Sequence, residues 1–479
     1  MTQPSPSLDH PADLRRGLGF WQATAINITQ IVGAGVFATI PLILGVLPGP
    51  QALLAWLVAG VLILCDSLIW GELGAALPSA GGSYHYLLES YGRSRWGRLM
   101  SFLFVWQILL SGPLEVGSGL VAAAQFSKSI SPAFKAFDEA NTLRFGIETE
   151  GQFLGVILSP TRLFGLGMGA LILALLYRRV DSLGRISLFF LAAVLGVIGW
   201  VLLEGLPRFQ PALFLETPAK THDDTSPLPG AALGAGMGLA IYSYFGYYNI
   251  CYLGSEVKNP SRVLPRSILA SAAAVVLLFA LVHLAITGVI PQADIDACKD
   301  NITAEFMTRL RGDWAGKLVT VLLVGSCFAS CFSGTLGYSR VPFAAAREGH
   351  FLRWFAAVHP VHKIPHRSLL LIGGLVLFWS LFSLDMIISA LVATRILEQF
   401  VAQVFAVMLL RKQGLPIPWR MPLYPLPCLI ALVGWLFVYA GTGKIFILLG
   451  LGTLIVGLVV FLLWSRSRGE WPFPIREKA

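Results

Sequence analysis

Apolar residues run through this chain in stretches too long for strands. A hydrocarbon layer about 30 Å thick is crossed by roughly 20 apolar residues in a helix. Between charged or Pro/Gly-rich breaks, twelve runs approximate that length: 18–46, 52–77, 99–126, 162–177, 186–206, 231–255, 267–290, 315–344, 368–383, 386–410, 426–441 and 444–464. Two longer polar connections, 127–161 and 291–313, lie between them. The pattern predicts an all-α polytopic membrane protein with twelve transmembrane helices and no separate soluble domain.

Composition narrows this further. Of 479 residues, 56% are apolar and only 13% are charged, against about 25% charged in soluble domains. Mean hydropathy is +0.71. Disordered, collagen-like and disulfide-rich secreted classes are excluded on these figures. Five of the six cysteines (Cys65, Cys251, Cys327, Cys331, Cys428) lie in apolar runs, and only Cys298 is in a polar stretch. No spacing resembles a zinc site or a disulfide framework, so neither a metal nor a cofactor is expected. Residues 1–17 lack the pattern of a cleaved signal peptide.

Charge sets the expected orientation. With the N-terminus inside, 22 of the 35 Lys and Arg residues fall on the inner side and eleven on the outer, mostly in the two long connections. Arg340 and Arg395 lie within spans. Short loops rich in Lys and Arg stay cytoplasmic, so both termini are expected in the cytoplasm and the protein in a plasma membrane, that of a bacterial inner membrane. The net charge of +9 is dispersed over seven loops. It reads as a topology signal, and no nucleic-acid partner is expected.

Two runs carry an interruption. The first holds Gly33-Ala34-Gly35-Val36-Phe37 at its middle. The sixth holds Tyr242-Ser243-Tyr244-Phe245-Gly246-Tyr247-Tyr248-Asn249. These occupy equivalent places in a five-plus-five repeat, where paired helix breaks point to a transport site. Unwound backbone survives in a bilayer only where it lines a wet cavity or meets a ligand. The half-helix ends carry partial charges of opposite sign, which suits a zwitterion. A carboxylate would sit on amides near Gly33, Ala34 and Gly35, and an ammonium on carbonyls near Tyr242, Ser243 and Phe245. Glycines that merely let helices pack closely are the alternative.

These residues resemble the amino acid–polyamine–organocation (APC) superfamily. Gly33 to Phe37 is similar to its GSGIF-type signature. Gly71-Glu72-Leu73 and Pro78-Ser79-Ala80-Gly81-Gly82-Ser83-Tyr84 resemble the second-helix motif and the loop after it. Ser255-Glu256-Val257-Lys258-Asn259-Pro260-Ser261-Arg262, with Pro265-Arg266, resembles EEVKNPxRxxPRAI. Ser339-Arg340-Val341 through Ala346-Arg347-Glu348-Gly349 resembles SRxxxAMARDG, and Arg420 to Pro425 the loop before helix eleven.

The resemblance implies an inverted-repeat bundle with broken helices 1 and 6, and amino acid transport by alternating access. Its expected organisation is a tail (1–17), helices 1–5 (18–206), helices 6–10 (231–411), helices 11 and 12 (426–464) and a tail (465–479). The sixth helix is most similar to L-type amino acid transporters. By that match Tyr242 would be a gating aromatic. Ser243 and Phe245 would offer carbonyls to the amine, with Gly246 beside them, and Ile31, Ala34 and Gly35 would meet the carboxylate end. Three departures stand out. The fifth run has no lysine for a proton relay, although proton coupling by another route stays open. The loop 127–161 has no cysteine, so no disulfide-linked heavy chain is expected. Ala34 replaces the motif's serine.

Ionisable residues inside spans are functional candidates. Glu115 could line the path, bind a cationic side chain, carry a proton or pair structurally. Asp66 is a second candidate, whereas Glu72 fits a structural pair. Arg395 and Glu398, three apart, are expected to share a helix face and pair. Arg340 is expected to reach the cytoplasmic surface or a loop acid. His283 is expected in a hydrogen-bonded structural role rather than a proton relay. Ser330, Ser333 and Thr335 could bind sodium, though a consecutive hydroxyl pair is absent. A neutral, possibly large substrate is expected because the sixth-helix break has aromatic neighbours and no acid. A cationic amino acid or amine, with Glu115 as partner, is the alternative. An enzyme is not expected: HExxH, GxSxG and Walker A sequences are missing. Nor is a channel, since no filter-like repeat occurs.

Overall fold

The computed structural model describes residues 17–33, 35–79, 81–149, 152–177, 183–216, 230–362, 364–414 and 416–473. Ala34, Ala80, residues 1–16 and 474–479, and the basic residues Arg15, Arg16, Arg178, Arg179, Lys220, Lys363, Arg476 and Lys478 lie outside them. Each of the twelve apolar runs carries α-helix. Among the described residues seven helices are long and apolar enough to cross a membrane, or eight if the bent first pair counts as one span.

The first run divides into α1 (Phe20–Ile31) and α2 (Gly35–Val46), bent by 46°. It is followed by α3 (Gln51–Ala76), α4 (Ser83–Ser90) and α5 (Trp96–Ser127). The connection 127–161 is not simply a polar loop. It holds α6 (Pro132–Ala140) and an antiparallel hairpin of β1 (Leu143–Thr149) and β2 (Gln152–Leu158). The chain is therefore not purely helical. Leu143, Phe145 and Ile147 alternate with polar or small residues, the period of a strand.

Next come α7 (Pro160–Tyr177), α8 (Leu183–Gly205), the single turn α9 (Pro211–Phe214) and α10 (Ala231–Tyr244). After Tyr244 the sixth run stops being α-helical and continues as two short 3-10 turns, Asn249–Tyr252 and Gly254–Glu256. Then follow α11 (Pro260–Thr287), the turn α12 (Ile295–Cys298), α13 (Ile302–Arg311) and α14 (Asp313–Arg347). The last five are α15 (His366–Trp379), α16 (Leu384–Arg395), α17 (Ala402–Lys412), α18 (Leu426–Gly441) and α19 (Lys444–Ser467). A π-helical turn, Ile396–Val401, joins α16 to α17. Such turns often mark functional positions.

Small residues bring the inner helices together, as expected where lipid supplies no hydrophobic drive. A Cβ on Gly119 would lie 2.6 Å from the Cys331 sulfur, and one on Gly334 2.8 Å from Val116. These positions seat α5 against α14. The two long connections meet through Lys128, whose Nζ lies 3.3 Å from Asp138 and 3.6 Å from Asp300. Asp66 is a buried tie: Tyr247 donates to one oxygen, and Trp435 Nε1 to the other at 3.1 Å. Glu72 is a second, accepting both Arg411 Nε and Nη2 at 2.6 Å and the Met421 amide at 2.8 Å. That bears out its structural reading.

Candidate functional site

Both interruptions predicted from glycine and aromatic content are present. At the first, Val32 leaves helical geometry with ψ 77°, and the Gly33 amide turns back to the Ile31 carbonyl at 2.9 Å. At the second, Phe245 is extended, with ψ 142°. Gly246 follows at φ +113°, and a Cβ there would lie 3.1 Å from the Gln30 carbonyl carbon. Glycine is needed at that point on both counts. One freed backbone group is satisfied by α1 itself: Asn27 Oδ1 accepts the Ile250 amide at 2.9 Å, while its Nδ2 donates to Ser271 at 3.2 Å. Buried amides need such partners.

The breaks face one cavity of about 60 Å³. Gln30, Ile31, Gly33 and Gly35 line it from the first break, and Tyr242, Ser243 and Phe245 from the second. Glu115 and Gly119 of α5 and Cys327, Ser330 and Gly334 of α14 contribute to the remaining wall. Of the residues predicted, Ile31, Gly33, Gly35, Tyr242, Ser243, Phe245 and Glu115 thus come together. Gly246 packs behind on Gln30, and Asp66 does not line the cavity. A Cβ on Gly35 would lie 3.4 Å from the Ser243 Cα. The Ser243 hydroxyl meets Thr39 at 2.8 Å, so the two breaks are in contact.

Arg395 makes the site's main electrostatic contact, and its partner differs from the one predicted. Its Nη1 lies 2.5 Å from Glu115 Oε2, 280 residues away in sequence. Nη1 also donates to the Tyr248 hydroxyl at 3.1 Å, Nη2 to Tyr338 at 2.9 Å and Nε to Ser111 at 3.1 Å. Tyr338 in turn donates to Glu115 Oε2 at 2.5 Å. The guanidinium lies 5.3 Å from the Phe245 ring centre. Glu115 keeps 17% of its side chain exposed and Arg395 only 1%. The carboxylate therefore faces the cavity and the guanidinium backs it.

The expected Arg395–Glu398 pair does not form, because the π turn begins at Ile396 and shifts the i, i+3 register. Neither oxygen of the buried Glu398 has a hydrogen-bond partner. His283 likewise has none on either ring nitrogen, so the predicted hydrogen bond is absent. Arg340 is exposed. Of the hydroxyls weighed for sodium, Ser330 lines the cavity, while Thr335 donates to the Cys331 carbonyl at 2.8 Å. No group of three or more His, Cys, Asp or Glu side chains is placed to hold a metal among the described residues.

Ser118 and Tyr338 are single hydroxyls in apolar runs that sequence reasoning missed, and Tyr248, although part of the sixth-run interruption, carries no sign there of its Arg395 partner. Ser118 meets the Tyr242 hydroxyl at 2.7 Å.

Known proteins place this arrangement. The amino acid permease profile matches residues 18–464. The serine/threonine exchanger SteT of Bacillus subtilis is 27% identical over 444 residues, covering 90% of this chain and 91% of that protein. The branched-chain amino acid permease BcaP of the same organism is 24% identical over 471 residues, covering 95% and 94%. Cationic amino acid transporter 4 of Mus musculus is 26% identical over 409 residues, covering 84% and 61%. With nearly its whole length matched, the chain belongs to the amino acid permease family of the APC superfamily, membrane transporters and not enzymes.

Proposed function

We propose that the protein is a secondary transporter of small neutral amino acids, working by alternating access across a plasma membrane. The supporting observation is the cavity between the two helix breaks. In this reading the substrate carboxylate sits on amides near Gly33 and Gly35, and its ammonium on carbonyls near Tyr242, Ser243 and Phe245. Half-helix ends supply the matching partial charges. The chain crosses the bilayer twelve times, with 18–206 and 231–411 as inverted repeats, 426–464 appended and both tails cytoplasmic.

Two features support a small neutral substrate. The cavity is narrow, about 60 Å³, and its wall carries Gly33, Gly35, Gly119 and Gly334. This departs from the large side chain that the aromatic neighbours suggested. The carboxylate in the wall, Glu115, is already paired with Arg395. The name of SteT, an exchanger of serine and threonine, agrees with this reading.

The test is counterflow into proteoliposomes with each common amino acid, at two pH values, with and without sodium. The expected result is saturable exchange of serine, threonine or alanine. A flux that never saturates would indicate a channel. Exchange confined to lysine, arginine or polyamines would favour the cationic alternative.

A further inference from the structure

Arg395 is buried where it performs no obvious service to backbone or surface. It stands behind the carboxylate that faces the cavity, 2.5 Å from it. We propose that Arg395 is a built-in cation that excludes basic amino acids: it takes up the charge of Glu115 that a basic side chain would otherwise claim. The proposal rests on the neutral-substrate reading above and assigns that specificity to one residue.

The physical case is a competition. A partly buried carboxylate such as Glu115, 17% exposed, loses part of its hydration, and a cation beside it offsets that cost. A lysine side chain entering the cavity could serve only by displacing the guanidinium. Arg395 would then be left unpaired among Ser111, Tyr248, Tyr338 and the Phe245 ring, with no acid among the described residues in contact other than Glu115. Stranding one member of such a pair is strongly unfavourable. Three hydroxyl contacts fix the guanidinium, so it cannot easily swing aside. Without Arg395, the same carboxylate becomes a receptor for a cation, at the edge of a zwitterion site. Without Glu115, the guanidinium becomes a receptor for an anion. Specificity of this kind comes from an unpaired charge imposed on the wrong ligand.

The test uses the full chain in proteoliposomes, with serine, lysine and glutamate as the counterflow substrates. The wild type is expected to exchange serine and exclude lysine. In Arg395→Gln the lysine-to-serine uptake ratio rises about tenfold or more, a change equal to roughly 1.4 kcal/mol. The gain disappears in Glu115→Gln/Arg395→Gln, which has no carboxylate to offer. Glu115→Gln alone admits glutamate. A wild type that carries lysine as readily as serine overturns the proposal, as does a folded Arg395→Gln that exchanges serine yet still excludes lysine. Should Arg395→Gln not be recovered from membranes, Glu115→Gln decides: glutamate entry supports the proposal and glutamate exclusion overturns it. Serine counterflow by the wild type is the separate check on the underlying reading, which fails if no amino acid exchanges at all.

Discussion

The hydroxyls of Ser118 and Tyr242 lie 2.7 Å apart, joining α5 to the last turn of α10 at the wall of the cavity. Ser118 also donates to the Glu115 carbonyl at 2.5 Å, so in the Tyr242 contact it is the acceptor and Tyr242 the donor. The aromatic residue at the second break is thus anchored to the helix that carries Glu115. Movement of either helix must break or carry this bond.

Tyr242→Phe removes the bond and keeps the ring. One hydrogen bond is worth about 0.5–1.5 kcal/mol, so the KM for a neutral amino acid should rise about twofold to tenfold. Tyr242→Ala removes the ring as well and should raise it further. Transport kinetics in proteoliposomes read both. Wild-type KM in the alanine variant would remove Tyr242 from the gate.

Gly35→Val and Ser243→Pro act on the contact between the breaks. A Cβ at position 35 would already touch Ser243 at 3.4 Å, and branching at valine fills the remaining space. Proline at 243 removes an amide of the final turn of α10. Both variants should insert normally and show no uptake, checked by surface labelling beside counterflow. Full uptake in both would put the substrate elsewhere.

The connection 127–161 supplies a pH prediction. Asp138 is buried, which by itself would raise its pKa. The Thr161 amide at 2.8 Å, the Ser159 and Thr161 hydroxyls and the Lys128 ammonium outweigh burial and hold it below the ordinary 3.8. Through Thr161 it caps α7 from outside that helix, where a negative charge is favourable. A carboxyl with a depressed folded pKa contributes stability above its unfolded value and loses it as pH falls through the folded one. Asp138→Asn keeps an acceptor for the Thr161 amide and removes only the charge, so it should lower the thermal midpoint near neutral pH by an amount on the order of 0.3–1 kcal/mol. The gap to wild type should close below about pH 4. Thermal unfolding across pH 3–7 checks both halves, and a gap that persists in acid contradicts the assignment.

Local signals were readable in the chain and distant ones were not. Apolar runs located the helices because bilayer thickness fixes their length. The breaks at Gly33–Gly35 and Tyr242–Asn249 were visible because glycine and clustered polar aromatics interrupt otherwise apolar helix. The β1–β2 hairpin was hidden within a connection treated as polar, although Leu143, Phe145 and Ile147 alternate as in a strand. Arg395 was assigned to Glu398 by helical spacing, a rule that fails across a π turn. Its true partner, Glu115, depends on how α16 packs on α5. Spacing within one helix carries no information about that.

Transport as proposed requires bared backbone at the two breaks to hold both ends of an amino acid. The most direct measurement is a structure of the protein with a bound neutral substrate. The carboxylate is expected within hydrogen-bonding distance of amides at Gly33–Gly35, and the ammonium on carbonyls at Tyr242, Ser243 or Phe245. Substrate bound away from both breaks, or held there by side chains alone, would contradict it.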